Sequence, residues 1–162
     1  LPEDARLPVV GVTFAQAMAY AAWCGKRLPT EIEWEVAGRG PDGRIFPWGN
    51  EPDEERANVG LAANALRPGR VGKLVWVDAP TDDVSPLGVR HLVGNVQEWV
   101  ADPLVMPDRK SSSLLSDGDR RVVRGASCQM PLPLSLRLSE RRPITGASKE
   151  RFGFRCACTA PD

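Results

Sequence analysis

The chain is poor in the residue types from which most metal and catalytic sites are built. Its 162 residues include one histidine, one tyrosine and four cysteines. A 2-His-1-carboxylate iron site needs two histidines, so the chain cannot build one from its own residues. Lys+Arg and Asp+Glu both number 21, which leaves no charge excess to attract nucleic acid or an anionic membrane. No apolar run approaches the length of a membrane span. We therefore expect neither partner.

The four cysteines do not follow a zinc pattern. Cys156 and Cys158 form a Cys-x-Cys pair without a second pair, and Cys24, Cys128 and His91 lie far away in the sequence. Disulfides in an oxidising compartment and buried free thiols both fit this set. The compartment is therefore left open. A lone histidine is more often structural than catalytic, so we expect a structural role for His91.

Two helices are indicated near the start of the chain. Thr13-Phe14-Ala15-Gln16 and Thr30-Glu31-Ile32-Glu33 both have the capping-box pattern. Gly25 can take the left-handed conformation that ends the first helix, and Gly38 is expected to close the second. The apolar spacing predicts one buried face on the first helix, made of Phe14, Ala17, Met18, Ala21 and Ala22.

Strands are predicted in the remainder, which makes the fold class α+β rather than a βαβ repeat. With 42% apolar residues, the chain has enough material for one core, so we expect a single domain over residues 1–162. Residues 38–86 are rich in turn signals and hold one predicted strand, residues 74–77, while residues 107–120 resemble an exposed loop. A further strand is predicted at Arg121–Arg124. Two more are predicted where apolar residues alternate with other residues. The first of these contains Leu132, Leu134, Leu136 and Leu138, and the second contains Phe152, Phe154, Cys156 and Cys158.

Three blocks together resemble one protein family. They are Gly25–Glu35 with Phe46–Asn50, Val93–Trp99, and Arg124–Ser127 with Phe152–Cys156. In this order they are similar to the formylglycine-generating-enzyme (sulfatase-modifying factor) family, whose domain is a variant of the C-type lectin fold. The resemblance implies two short helices, antiparallel strands and much irregular structure. It also implies that an N-terminal part of the family domain would precede residue 1, and that other domains belong to a longer chain.

The family blocks carry expectations for the core. Four tryptophans are expected to be buried there, namely Trp23, Trp34, Trp48 and Trp99. Arg155 is expected to form an internal ion pair with Glu31 or Glu33.

The founding activity of the family oxidises a substrate cysteine to formylglycine with a Cys-x4-Cys pair that follows a Gly-Gly-Ser segment. Aligning Gly125-Ala126-Ser127 with that segment places Met130 and Ser135 at the two cysteine positions. Neither a thioether nor a hydroxyl replaces a thiolate as a copper(I) ligand. Cys128 lies two residues early, which in a strand moves its sulfur by roughly 7 Å. We therefore expect no catalytic residues, no copper and no iron.

The resemblance implies calcium rather than a soft metal. One family site would use the carbonyls of Gly94 and Val96 and the carboxylate of Glu98, and a second would use Asn58 and the Val59 carbonyl. His91 stands where the family usually has Asn or Asp, and it is a poor calcium ligand.

The resulting hypothesis is a non-catalytic module that binds a protein or small-molecule ligand. Family members of this kind include regulatory domains of signalling proteins and variable proteins of diversity-generating retroelements. The predicted ligand-binding residues are Trp48, Cys128, Gln129, Met130, Leu132, Leu134, Arg137, Glu140, Arg142 and Lys149. The alternative is a copper- or thiol-dependent oxidoreductase that uses Cys128 in a rearranged site.

Overall fold

The computed structural model describes residues 3–60, 72–104, 120–130, 136–148 and 150–159. Within them α1 spans Phe14–Trp23, α2 spans Glu31–Arg39, and the strands are β1 (Glu98–Pro103), β2 (Arg120–Arg124), β3 (Arg141–Thr145) and β4 (Gly153–Phe154). Short 3-10 turns occupy Glu3–Arg6 and Glu54–Arg56. Neither α1 nor α2 has the length and apolar character required to cross a bilayer.

The four strands form one mixed sheet in the order β3-β2-β1-β4. β1 pairs antiparallel with β2, and β2 pairs antiparallel with β3. β4 runs parallel to β1, with Glu98 opposite Gly153. The α+β prediction is confirmed, whereas the expectation that all strands would be antiparallel is wrong for β4.

Both predicted capping boxes are present. The Thr13 hydroxyl accepts from the Gln16 N–H at 3.2 Å, and the Gln16 side chain accepts from the Thr13 N–H at 2.9 Å. Thr30 and Glu33 make the same reciprocal pair at 3.2 and 2.8 Å. Each box satisfies N–H groups that a helix start leaves without an intrahelical partner.

The ends of the helices differ in how well they were predicted. Gly25 follows α1 with a φ of 67°, as expected. The prediction that Gly38 closes α2 is wrong, because the helix continues to Arg39 and the left-handed residue is Gly40. Gly38 serves packing instead, since a Cβ there would lie 2.5 Å from a methyl carbon of Leu138.

Alternation along β1 and β2 divides the buried residues between the two faces of the sheet. Trp99 and Val123 belong to the α1-side core, whereas Val100 and Val122 belong to the α2-side core. The α1-side core comprises Ala17, Ala21, Leu28, Trp99, Val123 and Phe152. The α2-side core comprises Trp34, Phe46, Leu92, Val93, Val100, Val122, Ala126, Leu136 and Leu138. The sheet is therefore covered by one helix on each face.

The predicted core needs correction at α1. Trp23 is 81% exposed, whereas Trp34 and Trp99 are buried and Trp48 is half-buried. Met18 and Ala22 are exposed as well. The buried face of α1 is narrower than predicted, because it consists of Ala17 and Ala21 with Phe14 half-buried beside them.

Several predicted strands are shorter or absent. Residues 74–77 form no strand, and a turn begins at Val77. Leu136 and Leu138 are buried in a turn segment before β3. Leu132, Leu134 and almost all of the 107–120 loop lie outside the described residues. The alternating segment at 152–158 contributes only the two residues of β4 and an isolated bridge between Arg27 and Ala157.

Arg124, at the end of β2, joins α2 to the sheet. Its side chain is fully buried and donates to Glu31 at 2.9 Å, to Glu35, and to the Leu138 carbonyl at 2.7 Å. Arg141 on β3 also binds Glu31, with Nη2 2.8 Å from Oε2. Because a buried guanidinium without carboxylates would be very costly, this network fixes α2 relative to β2 and β3.

Replacing Arg124 by methionine should lower the free energy of unfolding by about 3–5 kcal/mol, because the variant leaves two partly buried carboxylates without their shared cation. Urea denaturation measures the change. Arg141→Met is the matched control, because the Arg141 side chain is 39% exposed and its loss should cost less than about 1 kcal/mol. Equal losses in the two variants would contradict the role assigned to Arg124.

Candidate functional site

The segment that aligns with the family's catalytic loop begins at Gly125. This residue has a φ of 77°, and a Cβ there would lie 2.3 Å from the Leu92 carbonyl oxygen. Only glycine fits such a position without displacing the backbone. The following turn brings the Cys128 N–H to 3.0 Å from the Asn95 carbonyl oxygen, so the turn is fixed against the Gly94–Glu98 loop.

Cys128 and Met130 are both held inside this turn. Cys128 is 2% exposed, and its burial raises the pKa of the thiol, which nearby Arg151 offsets only in part. Met130 packs against the α2-side core, and its carbonyl accepts from the Gly60 N–H at 3.1 Å. Ser135 lies outside the described residues. A protonated, buried thiol is a weak nucleophile and a weak soft-metal ligand.

The two loops predicted to bind metal lie side by side. The Asn95 N–H donates to the Asn58 carbonyl at 2.8 Å, and a Cβ on Gly94 would lie 2.7 Å from the Asn58 backbone nitrogen. Asn95 has a φ of 67°, and its side chain makes two hydrogen bonds to the backbone of Val75, at 3.0 and 3.1 Å. Sequence order alone gave no sign that Asn58 would adjoin Gly94.

Glu98, the predicted calcium ligand, is paired with a cation. Arg155 donates to both of its oxygens at 2.6 Å, and the Trp34 indole N–H donates to one at 2.9 Å. The expected partners of Arg155, Glu31 and Glu33, are therefore wrong: Glu31 binds Arg124 and Arg141, and Glu33 binds Arg27.

Calcium takes oxygen ligands, and Arg155 already binds both of the Glu98 carboxylate oxygens that the predicted site would use. Among the described residues no group of three or more His, Cys, Asp or Glu side chains could hold a metal ion. The calcium sites at Gly94, Val96 and Glu98 and at Asn58 and Val59 stay predictions.

Asp83 is a fully buried acid that contacts the loop containing Val93 and Gly94. One carboxylate oxygen accepts the Val93 N–H at 3.0 Å, and its backbone carbonyl accepts the His91 N–H at 3.0 Å. Burial raises the pKa of Asp83 to about 7. Burial also lowers the pKa of His91, which keeps the imidazole neutral. Both side chains are therefore suited to shaping the loop rather than to ligating a cation.

A groove of about 650 Å³ is lined by α2, by Asp102 and Pro103 at the end of β1, and by Arg141 at the start of β3, and we call it the α2 groove. Ile32 and Val36 line it and are 76% and 55% exposed. Its charged lining residues are Glu31, Glu35, Arg39, Asp102 and Arg141. Ion pairs join four of these side chains, and Asp102 accepts the Glu31 backbone N–H, so the groove offers apolar surface framed by neutralised charges. The spacing of Ile32 and Val36, one helical turn apart, is the sequence signal for it.

The predicted ligand-binding residues are distributed over several environments. Gln129, Arg137 and Glu140 are exposed, and Cys128 is buried. Trp48 is half-buried and stacks on Phe46 with ring centroids 5.4 Å apart. Arg142 bridges Gln97 and Glu150 at 3.0 Å each. Leu132, Leu134 and Lys149 lie outside the described residues, so this surface stays a prediction.

The chain belongs to the sulfatase-modifying factor enzyme 1-like domain family, whose model matches residues 1–160. It is 39% identical to the serine/threonine-protein kinase Pkn1 of Chlamydia trachomatis over 96% of this chain and 25% of the kinase. It is 37% identical to the inactive C-alpha-formylglycine-generating enzyme 2 of Bos taurus, over 98% of this chain and 52% of that protein. Hercynine oxygenase of Mycolicibacterium smegmatis is 40% identical over 74% of this chain and 30% of the oxygenase.

The chain thus spans between a quarter and about half of the curated relatives it matches. Among solved structures, PvdO from Pseudomonas aeruginosa superposes with a TM-score of 0.65 at 27% identity, covering 92% of this chain and 60% of PvdO. Treponema denticola variable protein 1 superposes with a TM-score of 0.69 at 22% identity, covering 94% and 71%, which shows a shared fold. The C-type lectin-like fold of the formylglycine-generating-enzyme type, predicted from the sequence, is confirmed.

Asp83 should make the stability of the chain depend on pH. Its folded-state pKa of about 7 lies above its ordinary value of 3.8. Between these values the folded chain holds a proton that the unfolded chain releases, so the free energy of unfolding falls as the pH rises through this window and levels off above it. In the parent chain the free energy of unfolding should fall by a few kcal/mol between pH 4 and pH 8. Asp83→Asn keeps a neutral side chain at every pH, so this fall should be absent in the variant.

Urea denaturation at a series of pH values measures this slope. Asp82→Asn is the control, because Asp82 is an exposed neighbour and its replacement should leave the slope unchanged. A pH profile that is the same in Asp83→Asn and the parent chain would show that Asp83 is ionised in the folded state.

Proposed function

We propose that this chain is a non-catalytic binding module on a formylglycine-generating-enzyme scaffold. The observation that carries the proposal is the catalytic loop itself. Met130 stands at the first cysteine position, Ser135 stands at the second, and the nearby thiol of Cys128 is buried and protonated. The ionic network around Arg124 and the Glu98–Arg155 pair support an intact scaffold without that chemistry.

Within this class we favour a regulatory or recognition domain of a larger signalling protein. The similarity to the kinase Pkn1 covers almost the whole of this chain but only 25% of the kinase. The second possibility, a variable protein of a retroelement, is supported by the likeness to Treponema denticola variable protein 1, which at 22% identity concerns the fold alone. The name of the Bos taurus relative describes an inactive enzyme, which is compatible with either role.

The ligand surface of the proposed module combines the α2 groove with the exposed residues next to it. Glu140 directly precedes Arg141, which lines the groove, so the predicted face and the groove adjoin. Ile32 and Val36 offer apolar surface, while ion pairs neutralise most of the surrounding charges. Such a surface suits an apolar side chain of a protein partner better than a charged small molecule.

The alternative function is an oxidoreductase. The similarity to hercynine oxygenase favours it, yet this chain matches 30% of that enzyme and has one histidine. Iron chemistry would need ligands beyond these 162 residues. A copper site would need Cys128 to become exposed and ionised, and a second thiolate to join it.

A copper(I) titration against a competing chelator separates the two functions. We expect Cys128→Ser to bind copper(I) as the parent chain does, because the buried thiol contributes no ligand. Cys24→Ser is the matched control for the binding of copper by an exposed thiol. Mouse formylglycine-generating enzyme, a 34% identical relative, is the positive control. A tight complex that disappears in Cys128→Ser but persists in Cys24→Ser would overturn the binding-module proposal.

A further inference from the structure

The C-terminal end of α1 presents a cysteine beside an aromatic side chain. Cys24 is exposed and caps the helix, and its N–H donates to the Tyr20 carbonyl at 3.1 Å. Side chains four residues apart lie on the same face of a helix, so Cys24 lies one turn beyond Tyr20. The Tyr20 ring contacts Phe154 of β4 with ring centroids 5.6 Å apart. Tyr20 therefore marks the place where α1 meets the chain at β4.

The chain that leaves β4 presents a second cysteine on the same side. Phe154 and Cys156 both pack against the α1-side core, while Arg155 between them points away to Glu98. Two residues of extended chain advance by about 7 Å and one helical turn by about 5.4 Å. Since Tyr20 faces Phe154, the next turn places Cys24 opposite Cys156.

A pair of backbone hydrogen bonds also holds the segment after Cys24 against the segment that contains Cys156. The backbones of Arg27 and Ala157 exchange hydrogen bonds of 3.0 and 2.8 Å, which join the segment after Cys24 to the residue after Cys156. The Cys24 side chain, ahead of burial, also raises the pKa of Tyr20. Burial and then the charge of Cys24 raise the pKa of Cys156, which agrees with the two side chains being neighbours.

We propose that Cys24 and Cys156 are a redox-active thiol pair, with a small-molecule disulfide such as glutathione disulfide as the oxidant. The exposed Cys24 thiolate attacks one sulfur of the oxidant, forms a mixed disulfide and releases one glutathione. The Cys156 thiolate then attacks the Cys24 sulfur, forms the Cys24–Cys156 bond and releases the second glutathione. The two protein thiols lose two electrons and two protons, which reduce glutathione disulfide to two glutathione molecules.

The bond would tie the end of α1 to the segment after β4. These two parts are far apart in the sequence, so the cross-link closes a loop that contains the whole sheet. A cross-link over a long loop restricts the unfolded chain and raises the melting temperature. Cys158 is exposed and Cys128 is buried, and the pairing described here involves neither.

Equilibration of the purified chain in glutathione redox buffers tests the proposal. We expect two of the four thiols to be lost and a tryptic peptide that contains Cys24 to become linked to the peptide that begins at Cys156. Cys156 and Cys158 share that peptide, so Cys158→Ser must retain the link and Cys156→Ser must lose it. Cys128→Ser is the buried-thiol control and must also retain it.

Melting temperature gives an independent readout. Oxidation should raise it by several degrees in the parent chain and in Cys158→Ser, and leave it unchanged in Cys24→Ser and Cys156→Ser. The proposal fails if Cys24 stops at a mixed disulfide with glutathione, or if the linked peptide survives in Cys156→Ser. Either result would show that Cys156 is not the partner of Cys24.

Discussion

The buried guanidinium of Arg124 is the interaction on which the rest of this structure depends. It binds Glu31 and Glu35 of α2 and the Leu138 carbonyl, and it lies 5.3 Å from the Trp34 ring centroid. The Trp34 indole in turn donates to Glu98, which is paired with Arg155. One continuous set of polar contacts thus runs through the interior and sets the positions of α2, β1 and β2.

This network determines what the remaining residues can do. Glu98, the carboxylate predicted to bind calcium, is paired with Arg155, and Glu31 is paired with two arginines. The proposed binding surface and the proposed thiol pair lie away from this network, in the α2 groove and at Cys24 and Cys156. The family membership and the proposed loss of the founding activity are therefore compatible, because the scaffold is stabilised by contacts separate from the cysteine positions.

The sequence predicted those features that depend on neighbours along the chain. The two capping boxes, Gly25 and strand β2 each require information from a few adjacent residues, and the structure confirms them. The partner of Arg155 and the exposure of Trp23 depend on residues that the fold brings together from distant parts of the chain. The spacing of apolar residues along the sequence does not predict them. Leu138 shows the difference, since its alternating pattern is typical of a strand while the structure buries it in a turn against Gly38.

The central claim is that this scaffold is maintained without the family's oxidation chemistry. Its most direct test is the oxygen-dependent conversion of a peptide cysteine to formylglycine, followed by mass spectrometry with copper(I) supplied and with mouse formylglycine-generating enzyme as the reference. We expect no aldehyde product above a protein-free control, from a chain that is folded by circular dichroism. Turnover that disappears in Cys128→Ser would contradict it.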